Sequence, residues 1–500
     1  MSDFLWYGAY PAGIPHTIDP DSIANIPAIL DAAAKKFPKR TGYTNLGANL
    51  SYADAEKRSK EFAAYLQSLP ELKPGDRVAV MMPNLLQYVV AVFGILRAGM
   101  TVVNINPLYT AREVHHSLKD SGAKAIVIIE NFARTLEQAV PGTSCTRFIL
   151  TGAGDMLSFP KREIVNFMIR HVKKMVPVYK LPGAVNFRDA LSIGRSAGFR
   201  PVDVKSSDLA FLQYTGGTTG VAKGAELTHR NMIANVLQVS AWISQRFKEG
   251  EETVLTALPL YHVFSLTATM VFTHWAAEMV LITNPRNLDS LAGECVKHDV
   301  SVIIGVNTLF AALLRNPVFK RAKLKRLKLT CGGAQVQKVV AEEWLAQTQC
   351  PILEAYGLTE CSPAVCGNIP GAPWDGSVGV PIPSTEVSIR GDGFRDLGFC
   401  PEGEDPAPYT GEICVKGPQV MRSYWKKPEE TAGVIRDGWL RTGDVGHMDH
   451  RGVVYITDRK KDMIIVSGFN VYPNEVENVI AAMPGVLEVG VTGVSSPKSG

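Results

Sequence analysis

Residues 214 to 224 read Tyr-Thr-Gly-Gly-Thr-Thr-Gly-Val-Ala-Lys-Gly, a loop dense in glycine and threonine and closed by a lysine. Such a loop is chemically suited to gripping phosphates. Gly216, Gly217 and Gly220 let the backbone turn tightly and approach a bound group; Thr215, Thr218 and Thr219, next to Tyr214, offer hydroxyl donors; Lys223 supplies a cation for the outer phosphates of a nucleotide. It is not a Walker A loop, because Lys223 follows Ala222 and precedes Gly224 where that motif has Gly-Lys-Ser/Thr. Taken alone, the segment also reads as a flexible Gly/Thr turn between a strand and a helix.

Three later segments weigh against the plain turn. Tyr356-Gly357-Leu358-Thr359-Glu360 follows the apolar Ile352 and Leu353, which puts it at the end of a strand, where ligands collect in open α/β sheets. Gly438-Trp439-Leu440-Arg441-Thr442-Gly443-Asp444 places a carboxylate after a tight glycine turn. Asp458-Arg459-Lys460-Lys461-Asp462 then opens a basic stretch that runs into Ser467-Gly468-Phe469-Asn470-Val471-Tyr472-Pro473-Asn474-Glu475.

In this order and at these distances, the four segments resemble the adenylate-forming superfamily of acyl-CoA synthetases, luciferases and peptide-synthetase adenylation domains. Within it the chain resembles the bacterial long-chain fatty-acid:CoA ligases, through Tyr10-Pro11-Ala12, Met81-Met82-Pro83-Asn84, Gly94-Ile95-Leu96-Arg97-Ala98-Gly99, Asn104-Ile105-Asn106-Pro107 and Val471-Tyr472-Pro473-Asn474-Glu475. Asn470 fits that subfamily, where many acetate-using and aryl-using members carry a basic residue.

The resemblance implies a chemistry and a role for each residue. A carboxylate is a poor acyl donor; ATP converts it to acyl-AMP, from which the thiol of coenzyme A displaces AMP. The first step calls for charge neutralisation and in-line positioning more than for a protein nucleophile. Thr215 to Lys223 would hold the β- and γ-phosphates, Glu360 with Thr215 would bind Mg2+, and Thr359 would donate to the α-phosphate. Asp444 would accept from both ribose hydroxyls, with Arg459 adding a second ribose contact. Tyr356 and Gly357 would border adenine, Tyr356 by stacking, and the Gly332-Gly333-Ala334 turn would line its pocket. His262, in Leu258-Pro259-Leu260-Tyr261-His262, either lies beside the acyl carboxylate or is a satisfied core histidine. Lys461 would be a hinge between a domain over residues 1–460 and a small mobile α+β domain starting at 461. That second domain is expected to be incomplete, since no later segment, Lys498 included, matches the Gly-Lys motif of the family's adenylating lysine.

Composition narrows the alternatives. A formal net charge of +4 in 500 residues, with no basic stripe interleaved with aromatics, gives no ground for a nucleic-acid partner. The eight cysteines form no CxxC pair and read as reduced, mostly buried thiols. The N-terminus carries Asp3 and lacks a basic segment followed by an apolar core, and the apolar run from Tyr88 to Leu96 stops at Arg97, short of the roughly 20 residues that span a bilayer. A cytoplasmic location is expected. From Arg162 to Val176, however, Ile164, Phe167, Met168, Val172, Met175 and Val176 recur at helical spacing opposite Arg170, Lys173 and Lys174. This basic amphipathic helix is either an ordinary surface helix packed on its domain or a peripheral contact with the inner face of the cytoplasmic membrane. A homodimer is also compatible with the resemblance.

The elements that must position these residues follow from the hydrophobic pattern. A first α/β unit runs from Ile26 to about Lys205, with a helix near Ala53 to Leu69 and strands at Arg77 to Met82, Thr101 to Ile105 and Ala125 to Ile129. A second, from about Ser207 to Pro381, holds the phosphate loop, a helix after Thr228 and strands near Val254 to Leu258, Met279 to Ile282 and Val302 to Ile304. Short strands between Thr385 and Ile456 predict a small β-barrel-like subdomain. Beyond the hinge, Asn474 to Met483 reads as a helix and Val486 to Val494 as a strand. The functional expectation is a long-chain fatty-acid:CoA ligase. The alternatives are a medium-chain ligase, a fatty acyl-AMP ligase loading a carrier protein, or a non-catalytic nucleotide- or lipid-binding protein.

Overall fold

The computed structural model describes residues 4–215, 222–333, 335–459, 464–466, 469–471, 473–481, 483, 486 and 489–494. Continuous apolar runs build its central strands. Ala125–Ile129 is buried along its whole length, as a parallel strand covered on both faces must be. It pairs with Arg77–Met81 and Arg147–Thr151 in a seven-stranded sheet. Capping side chains start the helices that cover the sheets. The Ser51 hydroxyl accepts from the Asp54 amide at 3.1 Å to open Tyr52–Ser68, and Thr228 with Asn231 forms a reciprocal cap on His229–Ile243. Each such cap is worth about 1 kcal/mol of helix stability.

The strands predicted before residue 460 are present, but two hairpins belong to a different sheet from the one expected. Leu209–Thr215 adds in parallel to Thr101–Asn104, through Val102 opposite Phe211 and Asn104 opposite Gln213, and Lys223–Thr228 returns antiparallel beside it. The phosphate loop therefore hangs from the edge of the first sheet, not the second. Conversely, Thr41–Asn45 pairs in parallel with Glu278–Leu281 and carries Ala48–Ser51 as the edge of the nine-stranded second sheet. Hydrophobic pattern marks a strand without naming its neighbour, so the linear division near residue 206 does not match the pairing.

The second sheet continues through Thr253–Thr256, Val302–Gly305, Leu329–Gly332, Ile352–Gly357, Ala364–Gly367 and Val380–Pro381. The short-strand region is a five-stranded antiparallel sheet. Its ten-residue strand Trp439–Met448 is long enough to pair with Gly411–Lys416, Ile435–Arg436 and Val454–Arg459. Past Arg459 the described residues include the hairpin Ile464–Val466 with Phe469–Val471 and the helix Pro473–Ala481. The strand expected over 486–494 is not formed among the described residues there.

The basic amphipathic segment is helical only as far as Val172: an α-helix over Lys161–Phe167 continues as a π-helix over Met168–Val172. Asn166 fastens it to the domain, its side chain accepting from the Gly154 amide at 2.8 Å and donating to Asp155 at 2.9 Å. Arg170 pairs with Glu130. The apolar stripe points the other way. Ile164, Phe167, Val172 and Met175 are 58%, 59%, 55% and 54% exposed, so the stripe is not packed on the domain.

Candidate nucleotide and acyl site

The ends of the phosphate loop are fixed by the hairpin that carries it. Thr215 lies opposite Lys223, and its hydroxyl sits 3.4 Å from the Lys223 carbonyl oxygen. Tyr214 anchors the first strand by donating to Asp120 at 2.7 Å. Gly216, Gly217, Thr218, Thr219 and Gly220 lie outside the described residues, as do Ala334 and Lys461.

A second chain segment lies along the returning strand and closes over the Lys223 side chain. Arg422 and Trp425 donate their amides to the carbonyls of Glu226 and Gly224, and Glu226 donates to Ser423. This alignment sets the Tyr424 ring 4.7 Å from Lys223 Nζ, while Glu430 Oε2 lies 2.7 Å from the same ammonium. The Tyr424 hydroxyl donates to Glu360 Oε1 at 2.6 Å. Burial and the Glu360 charge push that hydroxyl far above the usual phenol range. Lys223 and Glu360, a phosphate cation and a metal carboxylate by expectation, are thus linked through one tyrosine.

Glu360 and Thr359 occupy a short turn that follows Ile352–Gly357. Gly357 is required there: a Cβ at this position would come 2.2 Å from the Pro363 carbonyl oxygen of the adjoining strand. Across a cavity of about 260 Å³ lies the tight turn of Trp439–Met448, with Leu358, Glu360, Tyr424, Arg441, Thr442 and Gly443 among its lining residues. Gly443 has φ +76°, which turns the chain so that Asp444 points back to Tyr356. Tyr356 donates to Asp444 Oδ2 at 2.7 Å, and Arg459 Nε lies 3.4 Å from Oδ1. The expected ribose pair, Asp444 and Arg459, is therefore assembled. Tyr356 is only 7% exposed, which leaves little ring for a purine to stack on and makes it first a holder of Asp444.

Gly332 ends the strand Leu329–Gly332, and the Gly333 amide donates to Gly305 at 3.1 Å; a Cβ on Gly333 would meet the Phe264 ring at 2.5 Å. His262 precedes the helix Val263–His274 and is exposed, so it is not a core histidine. It nevertheless lies deep enough in a recess for desolvation to hold its imidazole below the usual value, which makes it neutral near pH 7.

A buried polar chain that the sequence reading missed joins this histidine turn to the loop. Gln213, next to Tyr214, donates to the Tyr261 carbonyl at 2.5 Å and accepts from Asn104 at 3.1 Å. The Tyr88 hydroxyl lies 2.8 Å from both Asn104 Oδ1 and the Leu260 carbonyl oxygen. The only signal for it was the placement of polar residues in otherwise apolar strands and helices. Tyr424 and Glu430 were missed as well, because nothing in Arg-Ser-Tyr-Trp-Lys-Lys-Pro-Glu-Glu-Thr shows that it folds over Lys223.

The assembly of these segments at one cleft coincides with a family match. The sequence model of the AMP-binding enzyme family fits residues 30–425. The chain belongs to that family. It is 50% identical over 503 residues to a long-chain-fatty-acid–CoA ligase of Escherichia coli O6:H1, covering 99% of this chain and 88% of that protein. It is also 50% identical over 499 residues to the ligase of the same name from Salmonella typhimurium, with the same coverage. The crystal structure of the anthranilate CoA ligase AuaEII in complex with anthranoyl-AMP superposes with a TM-score of 0.82 at 20% identity, over 96% of this chain and 86% of that one, and shares the fold. Among the described residues no helix is long and apolar enough to cross a membrane, and no group of three or more His, Cys, Asp or Glu is placed to hold a metal.

Proposed function

We infer that this AMP-binding enzyme is an ATP-dependent long-chain fatty-acid:CoA ligase working through acyl-AMP. The fatty carboxylate oxygen attacks the α-phosphorus of ATP and pyrophosphate leaves; the coenzyme A thiol then attacks the acyl carbon and AMP departs. The observation that carries the reading is half-identity along nearly the whole chain to ligases of this name, and it is supported by a cleft that brings Lys223, Glu360 and Asp444 near one another.

Lys223 would neutralise charge on the leaving pyrophosphate, and Asp444 with Arg459 would orient the ribose. Glu360 is the described carboxylate best suited to Mg2+. One of its oxygens accepts from Tyr424, and a single carboxylate suffices for an ion that takes most of its ligands from water and substrate phosphates. Neutral His262 can donate to the acyl carboxylate or the adenylate carbonyl without adding a charge. Pyrophosphate release that depends on fatty acid, with trapping of acyl-AMP by hydroxylamine before coenzyme A is added, tests the assignment. Pyrophosphate release indifferent to fatty acid would refute it.

The exposed stripe supports peripheral binding to an anionic bilayer. Burying an apolar side chain fully is worth about 1.5–3 kcal/mol, and each lysine near an anionic surface about 1 kcal/mol. Four half-exposed apolar side chains with Lys173 and Lys174 therefore suit reversible docking rather than permanent anchorage. Such docking would place the enzyme where its water-insoluble substrate is dissolved.

A further inference from the structure

The Lys223 ammonium has three protons to donate, and its surroundings are already taken up by two groups from one turn. Glu430 Oε2 accepts at 2.7 Å, and the Tyr424 ring covers another side at 4.7 Å. The turn is internally braced: the Tyr424 amide donates to Thr431 Oγ1 at 3.0 Å and the Lys427 amide to the Tyr424 carbonyl at 3.1 Å. Tyr424 and Glu430 therefore move together. Among the described residues no backbone group bonds the Glu430 carboxylate; its side chain is 42% exposed, against 32% for Lys223, so solvent and solutes reach the pair. The hydrogen bond from Lys223, with its charge, holds the Glu430 carboxyl below its ordinary value, so it is an anion near neutral pH.

We propose that Glu430 is a competitive occupant of Lys223, an internal anion that yields the ammonium to the outer phosphates of ATP and takes it back as pyrophosphate leaves. This rests on the reading that Lys223 serves those phosphates. A carboxylate within hydrogen-bond distance of the ammonium either shares it with an arriving polyphosphate, at the cost of repulsion between two anions, or swings away into solvent. Both weaken the hold on the triphosphate, and both weaken the hold on the product pyrophosphate. Tyr424 is the positioning residue of the device, because it carries the turn on Gly224–Glu226 and binds Glu360 on its other side. Glu430 thereby trades ATP affinity for release of a product that would otherwise stay on the same lysine.

The test is Glu430→Gln, which keeps size and removes charge. Exposed ion pairs are worth a few tenths to one kcal/mol, so KM for ATP and the inhibition constant for pyrophosphate should both fall, each by about two- to fivefold. A merely structural pair predicts the opposite, because loosening the turn would raise both. In the Lys223→Ala background the Glu430→Gln effect should vanish, and Glu429→Gln should leave both constants unchanged. Unchanged or raised constants in Glu430→Gln, with Lys223→Ala still impairing ATP use, would overturn the competition while leaving the phosphate role of Lys223 intact. If Lys223→Ala left ATP use untouched, the phosphate reading itself would fall, and the competition with it.

Discussion

The Tyr356 hydroxyl donates to Asp444 Oδ2 at 2.7 Å and so bridges the end of a central strand of the nine-stranded sheet to the small antiparallel sheet. Asp444 is 9% exposed and also faces Arg459, so its carboxylate is oriented from two sides before any sugar is bound.

Removing the hydroxyl should loosen that orientation without emptying the core. Tyr356→Phe is expected to raise KM for ATP several-fold while lowering stability by about 1 kcal/mol, the usual net worth of one hydrogen bond. Asp444→Asn should cost more ATP affinity than Tyr356→Phe, since it removes the acceptor itself. Steady-state kinetics with a parallel thermal melt separate the two effects; an unchanged KM in both variants would remove Asp444 from the ribose site.

Glu360→Gln keeps the shape that Tyr424 holds but takes away the negative charge. The Mg2+ concentration giving half-maximal rate should rise, because a hard cation loses its charged protein ligand. A Mg2+ titration that superposes on that of the unaltered enzyme would leave Glu360 with only its structural bond to Tyr424.

Much of the site is legible in the sequence, for a physical reason. The contacts proposed for phosphate, ribose and metal would come from short segments at strand ends, and the types and spacing of Thr215, Lys223, Glu360 and Asp444 suit that chemistry within each segment. The fully buried strands are legible too, since a parallel strand covered on both faces leaves an uninterrupted apolar run such as Ala125–Ile129. Partnerships made across the fold are not. The assignment of Leu209–Thr215 to the first sheet depends on pairing with Thr101–Asn104, and the closure of Tyr424 and Glu430 over Lys223 depends on a strand-like contact between segments some two hundred positions apart. No local pattern encodes either. The polar chain Tyr88, Asn104, Gln213 was hidden for the same reason: each residue looks like an isolated polar interruption until the sheet brings the three together.

Acid should destabilise the fold through His229, which is buried at the first helical position of His229–Ile243 and accepts from the Ile26 amide at 3.2 Å. Burial lowers its pKa from the ordinary value of 6.5 to about 4. Between these values the unfolded chain binds the proton and the folded one does not, so stability is full above about 6.5 and falls as pH drops towards 4, by up to about 3 kcal/mol. His229→Asn should melt lower at pH 7 but lose less on going to pH 5. An equal loss at pH 5 in both proteins would assign the acid sensitivity to other groups.

The exposed stripe predicts a separable membrane function. Ile164→Glu with Phe167→Glu should abolish co-sedimentation with vesicles containing anionic lipid and leave the melting temperature within a degree or two, since both side chains are more than half exposed. Undiminished sedimentation would place membrane contact elsewhere or nowhere.

The central assignment is tested most directly by kcat/KM for fatty acids of graded length, each held below its micelle-forming concentration. A methylene buried in an apolar tunnel contributes about 0.8 kcal/mol, so the eight that separate octanoate from palmitate could add roughly 6 kcal/mol before ordering costs. A long-chain ligase should therefore show a steep rise between these two acids, flattening once the tunnel is filled, with acyl-CoA formed in step with pyrophosphate. Palmitate used no better than octanoate would contradict the long-chain assignment and leave only acyl adenylation.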